Sequence, residues 1–156
     1  MNTFHVSALP ADDLDRIRAR GSDDFGNPVV ITINTDEGGA PLRCCLQEAA
    51  VGERVALIAY RPSTLGGAYA EVGPVYVHAE ACPGWSGSGY PDSYRHRRQL
   101  LRAYDGAGRR VDNIIVERGR AEAGIDALLA RPEVAFLHSR NVLAGCWMFT
   151  VRRTPA

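Results

Sequence analysis

The segmentation of this chain constrains its fold more than any other feature. Short, apolar, β-rich runs recur from end to end, separated by Gly, Pro, Asn and charged residues. "PVVITIN" (28–34) is dominated by β-branched residues, whose stiff side chains suit a pleated surface. "PLRCCLQEA" (41–49) reads as a second strand or extended segment, and "RVALIAYR" (54–61) as a third, buried on both faces. "PVYVHAEA" (74–81) is a strand bounded by Gly-Pro. "QLLRAYD" (99–105) and "RVDNIIVE" (110–117) flank "DGAG", a hairpin signal. "VAFLHSR" (134–140) and "CWMFTVRR" (146–153) are joined by "NVLAG", in which Asn141 and Gly145 suit a tight connection.

Two segments follow a helical pattern instead. "PADDLDRIRAR" (10–20) carries Pro and acids first and Arg last, the order that complements a helix dipole, and Gly21 would end it. "AEAGIDALLARP" (121–132) sets Ile125, Leu128 and Leu129 on one face and stops at Pro132. About eight strands and two helices imply an α+β fold, built on a mostly antiparallel β-sheet or a partly closed barrel. The chain has 156 residues, so a single domain over 1–156 is expected, large enough to bury a core without disulfides.

Charge and cysteine usage exclude several functions. The formal net charge is zero, which argues against a nucleic-acid partner. All 18 basic residues are Arg, the better side chain for holding a carboxylate or phosphate through two hydrogen bonds. No apolar run approaches the roughly 20 residues that span a bilayer. The N-terminal "MNTFHVSALPADDLDRIRAR" lacks the pattern of a signal peptide, so a cytoplasmic protein with reduced thiols is expected. Cys44, Cys45, Cys82 and Cys146 form no C-x-x-C pair, which argues against zinc-ribbon and thioredoxin-type sites. On an extended strand Cys44 and Cys45 would point to opposite faces and could not readily share one metal.

Alternation along the strands suggests where polar groups collect. Trp147, Phe149 and Val151 are the expected core set of the last strand, leaving Cys146, Met148 and Thr150 opposite. Val75 and Val77 leave Tyr76, His78 and Glu80; Leu101 and Ala103 leave Arg102 and Tyr104. Ala135 and Leu137 leave Phe136, His138 and Arg140, with the reverse choice for this strand open. A one-residue slip would invert any strand's contribution. Two Gly-rich loops, 62–73 and 83–95, also stand out. Trp85, Tyr90 and Tyr94 in the second could close as a lid or simply pin a surface loop.

The blocks "PLRCCLQEAAVGERVALIAY", "GPVYVHAEAC", "LLRAYD" and "FLHSRNVLAGCWMFTVRR" resemble, in order and spacing, the bacterial domain-of-unknown-function family 1203. The resemblance spans about residues 3–153. Its most specific pieces are H-A-E-x-C and H-x-R-N-x-x-x-G-C. It implies a small bacterial protein and no particular chemistry. Recurrent family positions fall on Cys45, Tyr60, Tyr69, Gly73, Pro74, His78, Cys82, Arg102, Tyr104, His138, Arg140, Asn141, Gly145 and Cys146. Cys44 and Ala68 depart from the family pattern.

Three chemistries fit these residue types. His78, His138 and one or two of Cys45, Cys82 and Cys146 would suit zinc by ligand type, but they show no local ligand spacing, so no metal or cofactor is assigned. His138 could activate Cys146 as a nucleophile across the hairpin. Arg102 and Arg140 could clamp an anion, with Tyr104 and Asn141 adding hydrogen bonds and a histidine moving protons. The reading adopted is a small-molecule enzyme or binder for an anionic group. His78, His138 and Cys146 are its candidates for chemistry, and Arg102, Tyr104, Arg140 and Asn141 its candidates for binding. No nucleic acid and no membrane is expected as partner; homo-oligomerisation is compatible. The alternative is a non-catalytic interaction module in which the same residues form a structural network and the loop 83–95 carries the function.

Overall fold

A computed structural model describes residues 2–156. Its elements are β1 (Phe4–Ser7), α1 (Ala11–Arg20), β2 (Val30–Ile33), β3 (Arg54–Tyr60), β4 (Gly73–His78), a 3-10 turn (Asp92–Tyr94), β5 (Gln99–Tyr104), β6 (Arg110–Val116), α2 (Ala121–Leu129), β7 (Phe136–Asn141) and β8 (Trp147–Arg153). The strands form two antiparallel sheets, ordered β1-β8-β7-β5-β6 and β2-β3-β4. The fold is α+β, with two open sheets in place of a closed barrel. No helix among the described residues is long and apolar enough to cross a membrane.

Each sheet has its own core. α2 buries Ile125, Leu128 and Leu129 with Leu101, Leu137, Phe149 and Val151 of the larger sheet. The helix approaches so closely that a Cβ on Gly124 would lie 2.5 Å from Val116, so that position excludes a larger residue. Leu14 and Ile17 of α1 cluster with Val55, Ile58, Val75 and Val77 of the smaller sheet, and Trp147 of β8 joins them. Gly21 ends α1 at φ 73°, with its N–H donating to the Ile17 carbonyl.

The expected number of strands is found, with one exchange. Residues 41–49 are not a strand. Leu46 N–H donates to the Leu42 carbonyl and Leu42 N–H to that of Gln47, curling the backbone into a turn that leaves Leu46 at φ 56°. In its place β1 forms, an edge strand paired with β8. A second difference concerns β8. Ser139 pairs with Phe149 but Arg140 pairs with Trp147, so Met148 is the extra residue of a bulge. The bulge turns Trp147 off the Phe149–Val151 face, opposite to the side that simple alternation gives it.

The aromatic loop does not form a lid. Tyr90 and Tyr94 are buried against Phe149, and the Trp85 indole donates to the Val6 carbonyl. Tyr94 Oη donates to the Leu42 carbonyl, holding the 42–46 turn against the larger sheet.

Candidate functional site

β5 and β7 are neighbours, and Arg102 lies directly opposite His138, with Tyr104 opposite Phe136. Strand alternation therefore puts Arg102, Tyr104, His138 and Arg140 on one face, away from α2. The connection before β4 lies over this face. Glu71 accepts from Arg102 Nη1 at 2.7 Å, and its other oxygen pairs with Arg140 Nη2. Between them opens a cavity of about 450 Å³, walled by Tyr60, Glu71, Arg102, Arg140, Cys146 and Trp147 among others.

Cys146 is held from behind the cavity wall. The fully buried Arg43 donates from Nη2 to Cys146 Sγ at 3.0 Å, from Nε to the Trp147 carbonyl at 2.8 Å, and from Nη1 to the Pro41 carbonyl. No carboxylate of the described residues lies in ion-pair contact with Arg43. His138 is not the partner of Cys146. Its two ring nitrogens are buried without a hydrogen bond, and the ring sits among Tyr104, Phe136 and Trp147. Burial, with Arg140, Arg152 and Arg102 adding repulsion, pulls His138 down to about 3. It stands as a neutral imidazole. Arg140 Nε is likewise buried and unpaired.

Asn141 has a local task. Its Oδ1 accepts from the N–H groups of Leu143 and Ala144, while Arg140 Nη1 donates to the Gly145 carbonyl. Gly145 adopts φ 75°, a left-handed conformation that lets the hairpin close and deliver Cys146 to the cavity.

His78 belongs elsewhere. β4 begins at the cavity with Gly73 and ends at His78, about 16 Å farther along an extended strand. There the side chains of Cys44, Cys45, His78 and Cys82 gather with their ligand-type atoms all within 4.8 Å of one another. The expectation that Cys44 and Cys45 diverge is overturned, because they sit in the turn rather than on a strand. Hydrogen bonding with Cys45, then burial, pushes the Cys44 thiol above the ordinary thiol range, and the same bond draws Cys45 down. The backbone N–H of Ala50, and then His78, hold the Glu53 carboxyl below its usual value. This is the group of described residues with the ligand types and proximity for a metal ion.

A family model described as "Protein of unknown function (DUF1203)" matches residues 39–153. The chain belongs to the DUF1203 family. No curated protein and no solved structure matches it. Both side-chain clusters of this DUF1203 protein fall within the matched residues. Four participants have no counterpart among the sequence candidates: Arg43, Cys44, Glu53 and Glu71. Arg43 and Glu71 carry no motif. For the cysteine cluster a signal was present, since His78-x-x-x-Cys82 with an upstream Cys pair has ligand spacing even without C-x-x-C.

Proposed function

We propose that this protein binds a small anionic molecule in the cavity between Glu71, Arg102, Arg140 and Cys146. A charge imbalance supports the reading. Two guanidiniums line the cavity (Arg102 and Arg140), and a third, Arg43, lies behind its wall against Cys146, while Glu71 is the single carboxylate that pairs with the first two. Glu71 supplies part of the counter-charge and leaves room for an added anion, since buried cations are costly without one. The unpaired Arg140 Nε and His138 nitrogens are further hydrogen-bonding capacity in the same region. Tyr60 and Trp147, with ring centroids 5.2 Å apart and planes tilted by 46°, give the cavity an aromatic wall for the apolar part of a ligand. Cys146 is its candidate reactive group, and the four free cysteines suit a reducing compartment such as a bacterial cytoplasm.

The rival reading is a closed network in which Glu71 is the only anion the arginines ever meet. Thermal denaturation with small carboxylates and with inorganic phosphate separates the two. A ligand-binding cavity gives a concentration-dependent rise in Tm that Arg102→Gln abolishes. If no anion raises Tm, or the rise survives in both Arg102→Gln and Arg140→Gln, the binding reading is wrong and the network reading stands.

A further inference from the structure

We infer that Cys44, Cys45, His78 and Cys82 form a structural zinc site. The imidazole supplies the first reason. His78 Nε2 lies 2.6 Å from Glu53 Oε1. An ionised carboxylate only accepts, so Nε2 carries a proton, and the tautomer that can ligate a metal has its Nδ1 lone pair turned the other way. That lone pair faces two sulfurs, Cys44 Sγ at 3.5 Å and Cys45 Sγ at 3.7 Å. A carboxylate on the far nitrogen of a ligating histidine is the usual outer support of a zinc site, fixing tautomer and ring orientation.

The distances supply the second. Zinc–sulfur and zinc–nitrogen bonds of about 2.3 and 2.05 Å in a tetrahedron put nitrogen and sulfur about 3.6 Å apart. The two separations bracket that value, and Cys82 completes the set within the same 4.8 Å envelope. Three sulfurs and one imidazole are the ligands of a closed Cys3His site, in which no position remains for substrate. The metal would bind three thiolates and neutral Nδ1, with the thiol protons passing to solvent.

The surrounding backbone is arranged accordingly. His78 N–H donates to Cys44 Sγ at 3.3 Å, a contact that stabilises a ligating thiolate. Cys44 and Cys45 can both reach the site because the 42–46 turn is curled and is tied down at its start, by Arg43 N–H to the Tyr76 carbonyl and by Tyr94 Oη to the Leu42 carbonyl. Gly84 follows Cys82 at φ 81°, bending the chain after the last ligand. Two distant segments, the turn and the end of β4, would thus be clamped by one ion. The inference does not depend on the anion cavity: the guanidiniums of Arg43, Arg102 and Arg140 hydrogen-bond to none of these ligand side chains.

The test is native mass spectrometry with elemental analysis of the chain purified under reductant and without chelator. About one zinc per chain is expected. Co(II) exchanged into the protein should show the intense visible bands of a tetrahedral, thiolate-rich centre. Cys82→Ser and His78→Ala should lose most of the zinc, while Cys146→Ser, which removes the one thiol outside the cluster, keeps it. Because a ligand variant can fail to fold, the Co(II) spectrum of the unaltered chain stands as an independent readout. A chain that takes up neither Zn(II) nor Co(II) overturns the inference. So does a disulfide among Cys44, Cys45 and Cys82 that persists under reductant, seen as a mass lower by two hydrogens. Full zinc retention in folded Cys82→Ser and His78→Ala would also overturn it.

Discussion

His138→Phe should make this protein more stable, and the gain should grow as the solution is acidified. The ring is 4% exposed, with aromatic neighbours and two nitrogens that bond to nothing. A buried polar group without a partner costs about 1–3 kcal/mol, and Phe removes that cost while keeping the shape of a planar ring. Slight overpacking offsets part of it, so a net gain of about 1 kcal/mol at pH 7.5 is expected. The pH term is larger. The folded-state value is about 3, and an unfolded histidine titrates near 6.5. Between those limits the unfolded chain binds the extra proton, so stability is complete above pH 6.5 and falls as pH drops. At pH 5 the wild type should have lost about 2 kcal/mol through this residue alone. Urea denaturation of both chains at pH 7.5, 6 and 5 measures the difference, in which the other titrating groups cancel. A stability difference that stays flat across this range would refute the assignment of a neutral, buried His138. The same variant should bind anions more weakly if the cavity works as proposed.

Other substitutions address the supports. Asp23 is buried and accepts from the backbone N–H groups of Phe25, Asn27 and Ala59 and from the Asn27 amide; Asp23→Ala should cost about 2–4 kcal/mol in chemical denaturation. Gly145→Ala imposes a left-handed alanine and should cost about 1–2 kcal/mol by the same measurement, while changing the alkylation rate of Cys146. Arg43→Met removes the donor to Cys146 Sγ, and the rate of iodoacetamide reaction at that thiol should fall by about tenfold at neutral pH, read by peptide mass spectrometry.

The larger sheet was legible because its strands carry their own signals. The β7–β8 hairpin announces itself through Asn141 and Gly145, and of the two faces that alternation leaves open for His138 and Arg140, the pairing of β7 with β5 selects the one that Arg102 and Tyr104 share. What alternation cannot convey is an interruption. The bulge at Met148 depends on how Arg140 and Trp147 pack, and it reverses Trp147 without any Gly or Pro to mark it. The 42–46 turn was hidden for a related reason. It needs a leucine at φ 56°, a conformation that β-branched and aliphatic residues rarely adopt, and tertiary ties to Tyr76 and Tyr94 reinforce the local hydrogen bonds that hold it there. Arg43 and Glu71 act through contacts 103 and 31 residues away, beyond any local pattern.

The turn at residues 42–46 divides consecutive side chains between two places. Arg43 reaches Cys146 at the cavity, while Cys44 and Cys45 reach His78 at the other end of β4. One peptide bond therefore separates the two clusters along the chain, although a whole strand separates them in space. This makes the turn pleiotropic. Inserting or deleting a single residue there would unseat both clusters at once.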